Sequence, residues 1–234
     1  MHSFYLHRYG AHKQFTMTKF WERFFFVITW FLQGSSFLNP RSYAIMHRMH
    51  HAFSDTKRDP HSPHHTTDPM TMMIKTYKYY MRLFTRKWVP TPIFTQHFPE
   101  WKSFEGFAFS RFSTLMFIGL YVAFYATFAT HWWLWILLPI HIFNGPIQGA
   151  IVNWSGHKYG YSNYDNHDKS KNSLPMDILL MGELFQNNHH RHPNSANFGK
   201  RWFEFDPSYP VIWVLDKVRI IRMSPATLAA TRAF

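Results

Sequence analysis

Residues 112–157 read FSTLMFIGLYVAFYATFATHWWLWILLPIHIFNGPIQGAIVNWSGH and contain no Asp, Glu, Lys or Arg. A membrane-spanning helix needs roughly 20 predominantly apolar residues. This stretch holds two such lengths, residues 112–130 and 132–152, with His131, Trp132 and Trp133 at the turn between them. Paired Trp suits an aromatic belt at a membrane–water interface. Arg111 precedes the stretch and Lys158 follows it, so the positive-inside tendency places both ends of the hairpin on the cytoplasmic side. The competing explanation is a buried helical hairpin in a water-soluble protein. The predicted fold class is all-α: an integral membrane helical protein with a transmembrane hairpin at about 112–152 and a cytosolic helical cap.

Outside the hairpin the chain is basic and rich in histidine. Its 234 residues include 25 Lys and Arg against 13 Asp and Glu, a formal charge of +12, with 17 His and no Cys. An apolar content of 46% excludes a disordered polyelectrolyte. The lack of Cys excludes a disulfide framework, a thiolate zinc site, an iron–sulfur cluster and a Cys nucleophile. A mean hydropathy of −0.29 does not contradict a membrane protein, because the charges lie outside the hairpin. A second apolar stretch, residues 24–38 (FFFVITWFLQGSSFL), is short and interrupted by Gln33-Gly34-Ser35-Ser36. It suits an interfacial or buried helix better than a span. The N-terminus lacks a signal-peptide pattern.

The histidines fall in four clusters flanking the hairpin: HRYGAH at 7–12, HRMHH at 47–51, NWSGH at 153–157 and QNNHH at 186–190. Positions i, i+3 and i+4 share one face of a helix, so His47, His50 and His51 converge, as do Gln186, His189 and His190. Asn153 and His157 form an i, i+4 pair. His7 and His12 sit about 140° apart on an ideal α-helix, which predicts approach to a paired-metal site from two directions. A hairpin that enters and leaves on one side brings all four clusters to one membrane face. Imidazole suits iron, zinc, copper and nickel. Eight imidazoles are too many for one ion and fit two, each with about four nitrogens. Other histidines read more plainly. His61, His64 and His65 in a Pro-bearing loop are expected to be solvated. His2, His97 and His167 carry no pattern, His131 is interfacial, His141 hydrogen-bonds a neighbouring helix, and His192 lies just past the last cluster.

The four motifs, HRYGAH, HRMHHAFSDTKRDPHSP at 47–63, NWSGHKYGYSNYD at 153–165 and GELFQNNHHRHP at 182–193, resemble the membrane fatty-acid desaturase superfamily. The six-residue first box points to its acyl-CoA (stearoyl-CoA, delta-9-type) branch. The resemblance covers nearly the whole chain as a single domain, 1–234. It implies four transmembrane helices, a cytosolic catalytic cap and two iron ions. It also implies O2-dependent insertion of a cis double bond into a saturated acyl chain carried as acyl-CoA or acyl-lipid. Carried over by position, the iron ligands are His7, His12, His47, His50, His51, His157, His189 and His190, with Asn153 acting through water. Two departures stand out. The last box usually begins with His, where this chain has Gln186, expected to be a ligand or to hold one. The family's first membrane hairpin precedes the first box, so the chain reads as short by one hairpin.

The carboxylates Asp55, Asp59, Asp165 and Asp168 lie near the boxes and are candidates to orient the ligand imidazoles; solvated loop charge is the plain alternative. Arg8, Arg48, Lys57, Arg58, Lys158 and Lys169 suit an anionic CoA or a lipid headgroup. Without Cys or a haem-binding segment, electrons must come from a separate donor such as ferredoxin, cytochrome b5 or a similar carrier. The alternatives are a fatty acyl or lipid hydroxylase, or an inactive truncated metal- or lipid-binding membrane protein. Nucleic acid is not expected as a partner.

Overall fold

In the computed structural model, which describes residues 1–232, the chain starts in a π-helix, His2–Ala11, and runs into a short strand β1, Phe15–Met17. Helix α1, Lys19–Gln33, buries Glu22, Phe25, Phe26, Thr29 and Gln33, the three-and-four spacing of one face, while Phe20, Phe24, Phe31 and Leu32 face outward. At 15 residues it is a half-buried helix, in keeping with the sequence reading. It stops at Gly34, whose φ of +55° is open to glycine and whose missing Cβ leaves room for the Tyr121 hydroxyl.

Asn39 and Pro40 begin α2, Pro40–Phe53: the Asn39 side chain accepts from the Ser42 N–H, and Pro occupies a first-turn position that needs no donor. Asp68 and Pro69 begin α3, Pro69–Phe84, in the same way, with Asp68 accepting from Thr71 N–H. A short α4, Lys102–Ala108, leads to α5, Arg111–Phe128, capped by Ser110. Helices α1 and α2 meet the π-helix around an aromatic core of Phe4, Tyr5, Phe15, Phe25, Phe26 and Phe37. A smaller core of Ile45, Met46, Met49 and Leu83 joins α2 to α3.

Helix α5 is long and apolar enough to cross a membrane, and little of it is buried; Phe112, Leu115, Leu120, Phe124 and Phe128 are exposed. The return leg differs from the single span expected over 132–152. It is a 3-10 turn, Trp132–Ile136, then α6, Leu137–Ile142, then α7, Asn144–Lys158, and the two halves of the leg bend by 72°. The cause is local. Pro146 has no N–H to give Ile142, and its ring crowds that carbonyl. Gly145, beside it, packs against Ser36 and donates its N–H to the Ser36 hydroxyl.

After α7 the chain forms an irregular segment and then α8, Gln186–Arg191, α9, Ser208–Lys217, strand β2, Ile221–Met223, and α10, Pro225–Arg232. Strand β2 pairs antiparallel with β1, Phe15 facing Met223 and Met17 facing Ile221. The chain is therefore mostly helical with a small two-stranded clasp that joins its two ends. The hydrophobic pattern around residues 15–17 carries no sign of that pairing.

Candidate metal centre

The π-helix presents His7 and, at its C-cap, His12; α2 presents His47, His50 and His51, α7 presents His157, and α8 presents His189 and His190. These eight side chains converge from parts of the chain up to 182 residues apart. They form two groups. His7, His12, His47, His51 and His189 place one nitrogen each within 4.8 Å of all the others, and His50, His157 and His190 do the same. Within the first group Nε2–Nε2 separations are 2.9 Å for His7–His47, 2.8 Å for His12–His47 and 2.9 Å for His51–His189. In the second, His50 and His190 approach to 3.2 Å. The partition is five and three rather than four and four. His47 and His51, one turn apart on α2, face one group while His50 faces the other.

His7 and His12 do not approach from two directions. The His12 N–H donates to the His7 carbonyl at 3.0 Å, an i to i+5 bond, so the wider π turn stacks residues five apart on one side. Their Nε2 atoms lie 3.1 Å apart in the same group.

Three carboxylates take the second ring nitrogens of the three-histidine group. His50 Nδ1 lies 2.9 Å from Asp59, His157 Nδ1 2.9 Å from Asp55, and His190 Nδ1 2.5 Å from Asp168. Asp165 is exposed and orients none of them. A fourth carboxylate, Glu183, sits 2.6 Å from His7 Nδ1 as an ion-pair contact; it lies three residues before Gln186 between apolar neighbours, and that apolar flank is the only hint the sequence offers. With protons on Nδ1 held toward Asp59, Asp55 and Asp168, the Nε2 atoms of His50, His157 and His190 all present lone pairs inward. His157 Nε2 is buried without a partner. Converging lone pairs repel unless a cation lies among them, so the donor set fits metal ions, and its all-imidazole character fits iron as well as zinc or copper.

The electrostatics favour neutral imidazole most clearly in the five-histidine group. Burial, reinforced by the neighbouring imidazoles, pushes His12, His47, His51 and His189 well below the usual histidine range, which keeps them neutral and able to bind metal. Burial also lowers His50, but the adjacent Asp59 outweighs it and the net shift is upward. Burial raises the Asp55 carboxyl, yet the hydrogen bond from His157 holds it at about 2. Glu183 behaves likewise beside His7 and Arg8, at about 2.

Around the centre the structure revises several sequence expectations. His61 is not solvated. It is 4% exposed, its ring lies 4.3 Å from that of His50, and neither ring nitrogen has a partner. His64 is half-buried and donates Nε2–H to the His157 carbonyl at 2.8 Å; His65 stays exposed, with its Nε2 3.0 Å from the Asp55 carbonyl. This loop packs His61 against His50 of α2 and His64 against the end of α7, which no periodicity signals. Arg8 is not available to a ligand: it is fully buried, pairs with Asp206 at 2.5 Å and lies 3.8 Å over the Phe198 ring. Arg48 donates to the carbonyls of Gly10, Ala11 and Gln96. His141 does hydrogen-bond a neighbouring helix, at 3.1 Å from the Tyr125 hydroxyl. Asn188, Asn163, Asn172 and Glu204 form a network that fixes α8 from behind.

Asn153 and Gln186 line a cavity of about 700 Å³ whose wall also includes His47 and His61. Leu32, Phe37, Ile74 and Ile118 are among its apolar walls. Gln186 donates Nε2–H to the Glu183 carbonyl at 2.5 Å, and its Cγ occupies the space a Cβ on Gly156 would need. Asn153 donates to Gly149 O at 2.8 Å.

A helical scaffold with two buried histidine groups, one of which reaches an apolar cavity through His47, is suited to metal chemistry on an apolar substrate. The chain belongs to the fatty acid desaturase family, whose model matches residues 1–216. It is similar to the sn-1 stearoyl-lipid 9-desaturase of Synechocystis, 28% identical over 97% of this chain and 69% of that protein. It is also similar to the hex-5-enoyl-[acyl-carrier protein] acetylenase of Moorena producens, 26% identical over 92% of this chain and 70% of the relative. A third relative is the acyl-CoA 5-desaturase AL21 of Anemone leveillei, 27% identical over 90% of this chain and 62% of that protein. The protein is thus an oxidoreductase of the fatty acid desaturase type.

Proposed function

We propose that this chain introduces a cis double bond, of delta-9 type, into a saturated acyl chain carried as acyl-CoA, using O2 and a di-iron centre held by His7, His12, His47, His50, His51, His157, His189 and His190. The observation that carries this reading is the position of His47, a member of the five-histidine group, on the wall of one apolar cavity. When bound, paired iron supplies an oxidant strong enough to remove hydrogen from an unactivated methylene.

The protein's own residues do the rest. Leu32, Phe37, Ile74 and Ile118 hold the acyl chain and exclude water, and the cavity's meeting with His47 sets which methylene reaches the centre. Asp55, Asp59 and Asp168 fix the tautomer and direction of His157, His50 and His190. Asn153 lies on the cavity wall four residues before His157, where it can hold a water toward the three-histidine group. Helix α5, with the bent leg α6–α7, seats the enzyme in a membrane, a reading supported by its exposed apolar face; the basic residues flanking the apolar run, Arg111 and Lys158, favour the histidines on the cytoplasmic side.

Expression in a host lacking its own desaturase, followed by fatty-acid profiling, tests the reading. A new cis-monoene is expected, and a hydroxylated chain would replace this reading with hydroxylation. Relatives that act on lipid-linked and carrier-protein-linked chains make the carrier a second question, answered by supplying the purified protein with acyl-CoA and with acyl-lipid in parallel. Gln186→Ala examines the unusual last box: lowered iron content or turnover is expected, and full iron with unchanged turnover would remove Gln186 from the site.

A further inference from the structure

Two polar side chains on the wall of the apolar cavity have no part in the chemistry above. Asn144 and Gln148 lie one turn apart on α7, and both line the cavity. Each is half-buried, and neither amide has a hydrogen-bond partner among the described residues. Their polar neighbours on that stretch of wall are engaged. Ser36 accepts from the Gly145 N–H and donates to the Gln33 carbonyl, and the Ser35 hydroxyl donates to the Ile142 carbonyl. Gln33 pairs with His2 and with the Leu38 N–H. An unpaired amide in an apolar, membrane-seated wall is costly and marks a place that takes something polar. There is room for it: a Cβ added at Gly149, next to Gln148, would meet nothing closer than Met73 Cε at 3.7 Å.

Helix α7 also sets how far these amides stand from the centre. It runs toward the histidines and delivers His157, and Asn153, one turn earlier, is on the cavity wall. Gln148 and Asn144 lie five and nine residues before Asn153. That is about 7.5 and about 13.5 Å along the helix. An extended carbon chain advances about 1.2 Å per bond, since three main-chain bonds advance about 3.6 Å. The amides therefore stand about 6 to about 11 bonds beyond the reacting carbons. For a double bond of delta-9 type, this is the far end of a chain of about 16 to about 18 carbons.

We propose that Asn144 and Gln148 form a subsite for a hydroxyl group at the far end of the acyl chain, so that the substrate is a terminally hydroxylated long-chain acyl group. The proposal rests on the desaturase reading above and names the class of chain. A hydroxyl both donates and accepts, and two amides offer it both a carbonyl and an NH2. A terminal methyl would leave both amides unpaired. A terminal carboxylate fits poorly. Residues 112–157 carry no Lys or Arg. Among the described residues the cavity wall holds one Asp, Glu, Lys or Arg, which is Glu183, and it is negative.

The test expresses the full chain in a host lacking its own desaturase and feeds octadecanoic acid and 18-hydroxyoctadecanoic acid in equal amounts. A third acid, 12-hydroxyoctadecanoic, carries its hydroxyl short of the amides. Profiling gives the fraction of each pool that gains a double bond. The terminal hydroxyl form is expected to be favoured about tenfold over the plain chain, the usual effect of one hydrogen bond to an otherwise unpaired group. The 12-hydroxyl form should show no such advantage. In Asn144→Leu/Gln148→Leu the preference should fall to parity, with the plain chain desaturated faster and iron content unchanged. Binding is read separately on the metal-free protein in detergent. 18-Hydroxyoctadecanoate should raise its melting midpoint more than octadecanoate does, and the double variant should lose that difference. The proposal is overturned if the parent treats the plain and terminally hydroxylated chains alike. It is also overturned if the 12-hydroxyl chain is favoured as strongly, or if the double variant keeps the preference. If no fed chain gains a double bond while the melting difference holds, the desaturase reading fails and the hydroxyl subsite stands.

Discussion

Asp59 has no exposed surface and serves one imidazole. Replacing it with Asn keeps the volume but removes the charge that holds the His50 proton on Nδ1. Loss of such an outer partner lowers metal affinity about 10- to 100-fold. Asp59→Asn is therefore expected to retain one iron per chain more readily than two, measured by metal analysis after dialysis against a weak chelator. Asp55 sets a pH limit. Its carboxyl is held at about 2 in the fold, below the ordinary value of 3.8. A depressed carboxyl contributes stability that is fully present above the unfolded value and is lost as pH falls through the folded one. Thermal stability of the metal-free protein should accordingly decline as pH drops from about 4 toward about 2. In Asp55→Asn that segment of the curve should flatten.

At the scale of elements, the junction between α1 and α5 depends on one missing side chain. Gly34 has a positive φ, and an added Cβ would overlap the Tyr121 hydroxyl. Gly34→Ala is expected to cost more than about 1 kcal/mol, seen as a lower midpoint in thermal melting, and Gly34→Ala/Tyr121→Phe should recover part of the loss. The helix faces here were largely legible in sequence. Spacings of three and four placed His47, His50 and His51, and His189 and His190, on inward faces. The π-helix was not legible, because i to i+5 bonding is set by how His7 and His12 are packed under α2 and α8. The 72° bend was half-legible: Asn144-Gly145-Pro146 is a breaker, but hydropathy alone runs straight through it.

For the whole molecule, the exposed apolar flank of α5 is the feature on which the proposed membrane seat rests. An uncovered strip of that kind is costly in water. Leu115→Ser/Leu120→Ser/Phe124→Ser should shift the protein from the vesicle-bound to the soluble fraction in flotation without changing the iron content.

The sequence by itself determined the chemistry. It supplied eight histidines in four clusters, a lack of Cys that leaves imidazole as the candidate metal donor, and an apolar run that separates the clusters into two pairs. These are local properties, read from residue type and helical spacing. Only the tertiary structure decided that the histidines divide five and three, that Asp55, Asp59, Asp168 and Glu183 each take one imidazole, and that His61 is buried beside His50. The reason is that such pairings join residues as far as 182 positions apart, and no repeat along a single helix encodes which faces will meet.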